Sequence, residues 1–107
     1  VSNNILWIEY SSFFKAPTGT NDYKHICNKF DWIFISNLQT SDDSYIDIVR
    51  RFISFIDIAY VNQAKIKIFY NGFDINEIYT GSKIELLWNR CASRLSEMYT
   101  YEYLNNN

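Results

Sequence analysis

Arg90, Ser93, Arg94 and Glu97 fall at i, i+3, i+4 and i+7, the spacing that stacks side chains on one face of an α-helix. Two guanidinium groups on one face require an anion, either a carboxylate of the same chain or a phosphate brought by a ligand. A second charged set lies in "DIVRRFISFIDIAY", Asp47 to Tyr60. There Arg50 and Asp57 are seven residues apart on one side, and Asp47 is placed to support Arg51 at i+4. Asp57 sits between Ile56 and Ile58 beside an apolar stripe, where an unpaired carboxylate is costly and an arginine fork from another element would satisfy it. Two readings stay open. One is a structural ion pair between Asp57 and an arginine of the last helix, with Arg50, Arg51 and Glu97 as further candidates for the ionic set; the other leaves an arginine free for a phosphate. If the pair is buried, Asp57→Ala is expected to destabilise the fold by about 3–5 kcal/mol.

Other chemistries lack their residues. A phosphate-cradling loop needs GxxxxGK[ST], and the nearest approach, "GSK" at Gly81 to Lys83, has Asn76 where the first glycine belongs. The apolar run "WIFISN" ends in Ser36 and Asn37 rather than in the acidic pair that would hold Mg²⁺. Neither GxSxG, HExxH nor GxGxxG occurs. His25 is the single histidine, and Cys27 and Cys91 are far apart with no CxxC, so a zinc site or a disulfide framework is not expected. The thiols read as reduced and structural. Asp42 and Asp43 read as a solvated acid pair in the positive first turn of a helix.

The elements that must position these groups follow from periodicity. "ILWIEY" (Ile5 to Tyr10) reads as a strand, followed by a short amphipathic turn, "SSFFKA", that ends at Pro17. Thr20 or Asn21 is the expected cap of a helix carrying Tyr23, Ile26, Cys27 and Phe30. "DWIFIS" (Asp31 to Ser36) is continuously apolar, which predicts a strand covered on both faces. Thr40 or Ser41 is expected to cap a long helix reaching about Tyr60, with Val49, Phe52, Ile53, Ile56, Ala59 and Tyr60 as its stripe. "AKIKIFYNG" predicts a strand ended by Asn71 and Gly72, and "FDINEIYTG" a short helix or turn closed by Gly81. "IELLW" is a possible last strand before a final helix with Leu87, Cys91, Leu95 and Met98 on one face. The order is βαβαβα with a C-terminal helix, a small α/β unit with mostly parallel inner strands.

The 107 residues are read as a single unit, 48% hydrophobic and 19% aromatic, with a net charge of -2. No basic excess supports nucleic-acid binding, and no apolar run approaches the ~20 residues of a membrane helix. A cytoplasmic location is expected. The chain enters its first strand within a few residues of Val1, so a preceding segment is expected too.

Three stretches taken together carry a resemblance: "PTGTNDY", "RRFISFID..Y" and "R..SRLSEM....YL". Their order and spacing resemble the C-terminal third of the ZapE-type AAA+ P-loop ATPases, over about Trp7 to Leu104. That family has bacterial division-associated members and mitochondrial members implicated in protein quality control. The resemblance implies a C-terminal fragment of such an ATPase, whose phosphate loop and Mg²⁺-binding strand lie upstream. It implies that ATP and Mg²⁺ belong to the complete protein, that no cofactor is bound by this chain alone, and that the chain is not catalytic by itself. Its partners would be the upstream ATPase core and a protein partner or further copies. Arg94 in "SRL", with Arg90, becomes a candidate nucleotide-sensing arginine. From another class, the aromatic content also fits a stand-alone protein-interaction module with no nucleotide role.

Overall fold

The computed structural model describes residues 4–69 and 75–98. The elements are β1 (Ile5–Glu9), α1 (Tyr10–Lys15), α2 (Thr20–Lys29), β2 (Trp32–Ser36), α3 (Ile46–Val61), β3 (Lys65–Ile68) and α4 (Glu85–Met98). Short 3₁₀ turns at Asp43–Tyr45 and Ile75–Glu77 lead towards α3 and α4. The three strands form a parallel sheet in the order β1-β2-β3, the α/β arrangement that the alternating pattern predicts.

Side-chain caps start the first helices. The Glu9 carboxylate accepts the Ser12 N–H at 2.7 Å, so α1 follows β1 with no intervening loop. Lys15 is its last residue, and Ala16 is extended because it precedes Pro17. Gly19, rather than Thr20 or Asn21, is the N-cap of α2, because Asp22 reaches back to the Gly19 N–H at 2.9 Å. Neither Thr40 nor Ser41 caps the long helix. Asp42 accepts the Ser44 N–H at 2.9 Å and opens the 3₁₀ turn that runs into α3. Ser41 is instead buried and bridged to Tyr79, with Ser41 N–H on the Ile78 carbonyl at 2.7 Å and Thr80 N–H on the Ser41 carbonyl at 2.8 Å.

The helices cover one face of the sheet. Ile8, Ile33, Ile35, Ile66 and Ile68 are buried on that face. α3 lies at the centre of the helical layer and touches α1, α2 and α4. Its Phe52 and Phe55 join Tyr10, Phe14 and Tyr23 in a ring cluster with centroid separations of 5.4–5.7 Å. This corrects the expectation that β2 is covered on both sides: Trp32 and Phe34, on the alternate face, are only half-buried. A run apolar on both faces keeps this alternation hidden in the sequence.

β3 ends at Ile68, although the Phe69 N–H still bonds the Ile35 carbonyl at 2.8 Å. The expected strand end at Asn71 and Gly72 lies outside the described residues. "IELLW" is not a strand. Glu85 opens α4, and Trp88, Cys91, Ala92, Leu95 and Met98 make its buried face. Leu87, expected on that face, points outward with Leu86. Three consecutive apolar residues are too short a run to distinguish the two periods. No helix among the described residues is long and apolar enough to cross a membrane.

Candidate functional site

α3 and α4 pack in parallel, since the contacts advance together along both: Phe52 stacks on Trp88 at 6.0 Å, Asp57 meets Arg94, and Tyr60 meets Glu97. The apolar stripes lock the pair on the core side. The charged groups at the stripe edges therefore come together at its outer margin.

Asp57 receives both arginines of α4. Arg94 Nη1 donates to Asp57 Oδ1, and Arg90 Nη2 to Oδ2 at 3.3 Å. The Arg94 guanidinium also lies over the Tyr60 ring, 5.1 Å from its centroid. The Tyr60 hydroxyl in turn donates to both carboxylate oxygens of Glu97 at 2.8 Å. That bond to Glu97, followed by desolvation, raises the tyrosine pKa. Beneath the cluster Cys91 is fully buried, and burial first, then the Asp57 charge, pushes its thiol pKa far up. The cluster stays open to water, with side-chain exposures of 28% for Asp57, 30% for Arg94 and 53% for Arg90.

Arg50 and Arg51 do not join it. Arg50 is exposed and forms no ion pair among the described residues. Arg51 turns from Asp47 to α1, where Nη1 donates to the Phe14 carbonyl at 2.9 Å and to that of Lys15 at 3.4 Å. A cation there satisfies carbonyls that the end of a helix leaves without partners. The carbonyls are 36 and 37 residues away in the chain, so the i+4 reading could not find them.

Two arrangements were not legible in the sequence. Asp43, read as solvated, accepts from the Tyr79 hydroxyl, from Ser82 N–H at 3.1 Å and from Lys83 N–H at 3.4 Å. The Tyr79 bond, then the Ser82 N–H, lowers its pKa. Tyr79 also accepts the Ile84 N–H at 3.2 Å, so this node fixes the entry to α4. The second is a concavity of about 510 Å³ beyond the carboxyl ends of β1 and β2, with Tyr10, Ser11, Lys15, Thr40, Tyr45 and Ile48 among its lining residues. Its hydroxyls and single ammonium come from three separate segments, which read alone as a turn, a cap and the start of a long helix.

Among the described residues no group of three His, Cys, Asp or Glu side chains converges as a metal site. Arg90 and Arg94 are the sequence-predicted arginines that the fold brings together, on Asp57.

The AFG1-like ATPase family matches residues 1–107, the whole chain. The chain belongs to the AFG1-like ATPase family. Within that family it is similar to the cell division protein ZapE of Escherichia coli K12, 26% identical over 104 residues, which are 97% of this chain and 28% of ZapE. The ZapE of Escherichia coli O157:H7 matches equally, and an uncharacterized protein of Schizosaccharomyces pombe is 23% identical over 133 residues, 98% of this chain and 29% of its own. This AFG1-like chain therefore spans less than a third of the length of these relatives. No solved structure matches it.

Proposed function

We propose that this chain is the C-terminal part of an AFG1-like ATPase, in which it supplies nucleotide-sensing arginines and partner contacts but does not hydrolyse ATP alone. The observation that carries the reading is the match of the AFG1-like ATPase family over the whole chain; Arg94 and Arg90, both paired with Asp57 at a margin open to water, are the candidate sensing groups, which an incoming phosphate would have to draw from that carboxylate. Arg94 gives one nitrogen to Asp57 and sits over the Tyr60 ring, so the fork is already held and loses little rotamer freedom on meeting an anion. Arg90 lies further out. ATP and Mg²⁺ would be held by the rest of the complete protein, since the sequence has no glycine-rich phosphate loop. The name of the ZapE relative makes cell division the first process to test, with protein quality control second.

The rival reading is a protein-interaction module indifferent to nucleotide. The exposed Trp7 face of the sheet favours it.

One chimera separates them: Escherichia coli ZapE with its matching segment replaced by this chain. The chimera is expected to bind and turn over ATP, whereas the 107-residue chain alone does neither. Arg94→Ala in the chimera should weaken ATP affinity or turnover at least about tenfold, the scale of one lost charge-assisted bond. Arg94→Lys, which keeps the charge, should recover part of the loss. Unchanged ATP affinity and turnover in the Arg94→Ala chimera would overturn the sensing role.

A further inference from the structure

The face of the sheet turned away from the helices is built in registered rows, Ile5–Trp32–Lys65 and Trp7–Phe34–Lys67. Trp7 is 60% exposed, yet its ring is held in place. It meets Phe34 edge-on at 4.8 Å and stacks on Phe69 at 5.4 Å, and Phe34 in turn touches Trp32 at 6.1 Å. Ring–ring contacts of this kind fix an aromatic surface before any partner arrives, so little side-chain entropy remains to be lost on docking.

A parallel sheet is almost always covered on both faces, and among the described residues this one is covered on one. Three strands at about 4.8 Å spacing span about 10 Å, the width of one α-helix. Charge narrows the occupant further. Lys65 and Lys67 line the β3 side, and Lys67 Nζ lies 6.0 Å from the Phe69 ring. The acid on this face, Glu9, is already committed to Ser12, Ser11 and Asn37. A second copy docked through the same face would therefore bring more lysines and no spare carboxylate. An amphipathic helix with acids along one flank would meet both the rings and the lysines. The matched segment is 28% of ZapE, so most of a family chain is available to supply that helix.

We infer that this aromatic face is the docking surface for one acid-flanked amphipathic helix from the remaining part of an AFG1-like ATPase. This rests on the proposal that the chain works joined to such a core. The test is thiol labelling in the ZapE chimera, comparing Trp7→Cys with Val61→Cys, a control at the exposed end of α3. The native Cys27 and Cys91 are buried and give little background. The expected result is modification of Trp7→Cys at least about tenfold slower than Val61→Cys, because a covered thiol is shielded from reagent. Lys65→Glu with Lys67→Glu should bring the two rates together. Equal rates without those changes would overturn the inference. So would protection in the isolated chain that rises with its concentration, which would make a second copy the occupant. ATP turnover measured on the same chimera keeps the two proposals apart. Turnover without protection removes the docking surface alone, and protection without turnover removes the nucleotide role alone.

Discussion

Glu9 closes β1 and simultaneously starts α1, accepting from Ser12 N–H at 2.7 Å, Ser11 hydroxyl at 2.9 Å and the Asn37 amide at 3.1 Å. The Ser12 N–H first, and the Asn37 amide next, pull its pKa from 4.5 to about 2. A carboxyl that is more acidic in the folded state contributes its full stability above pH 4.5 and loses it as pH falls through about 2. Glu9→Gln is therefore expected to flatten that acid limb, read as the urea midpoint measured from pH 5 down to pH 2, about the window these values set. An acid limb as steep as in the parent chain would contradict it. Asn37 reaches Glu9 because it adopts a left-handed backbone, φ 59°, which asparagine tolerates better than most residues. The Glu9–Ser12 cap is local, but glutamate is not among the usual capping residues, so from sequence alone the strand reads on to Tyr10; the Asn37 partner is 28 residues away. Gly81 has a similar tertiary reason. A Cβ there would come within 2.6 Å of Asp43 Cγ and the Tyr79 hydroxyl, both held in the node that opens α4.

The pairing of α3 with α4 decides what Asp57 does. Their stripes were readable as period-3.6 patterns, and the arginine face of the last helix was readable by the same rule. Which stripe faces which was not, because facing depends on β3 carrying the chain back between two parallel helices. The outcome is a pair at the margin, not in the core, and this changes the expected cost of breaking it. With Asp57 and Arg94 both nearly a third exposed, Asp57→Ala is expected to destabilise by about 1–2 kcal/mol, between a surface and a buried pair and below the 3–5 kcal/mol of full burial. A thermal or urea melt checks it, and a loss under about 0.3 kcal/mol would make Asp57 an ordinary surface acid. α4 also shows where periodicity fails. The run Leu86–Leu87–Trp88 carries no period, and only the burial of Trp88 against Phe52 fixes the face.

At the scale of the molecule, the described residues form a three-stranded parallel sheet with helices on one side, and both cysteines lie in the core between them. Burial alone raises the Cys27 thiol pKa to about 11, and Cys91 is shifted further in the same direction. Neither is expected to form thiolate at neutral pH while the chain is folded. Reaction with a thiol reagent should therefore track unfolding, with both sulfurs released together as denaturant crosses the melting midpoint. A cysteine that reacts quickly in native buffer would show that the core opens locally at that site.

The sequence by itself determined the alternation of strands and helices, the apolar stripes, the arginine-bearing face of α4 and the lack of a phosphate loop. Each is a local property, set by side-chain period or by a contiguous motif. Tertiary structure decided which groups meet across 28 to 40 residues of chain: Glu9 with Asn37, Asp57 with two arginines, Arg51 with the end of α1, Asp43 with Tyr79 and the 82–83 turn. It also decided that, among the described residues, the helices cover one face of the sheet and leave the Trp7 face exposed. The physical reason is that a side chain's neighbours across an interface depend on the stacking of whole elements, and spacing within one element carries no record of it.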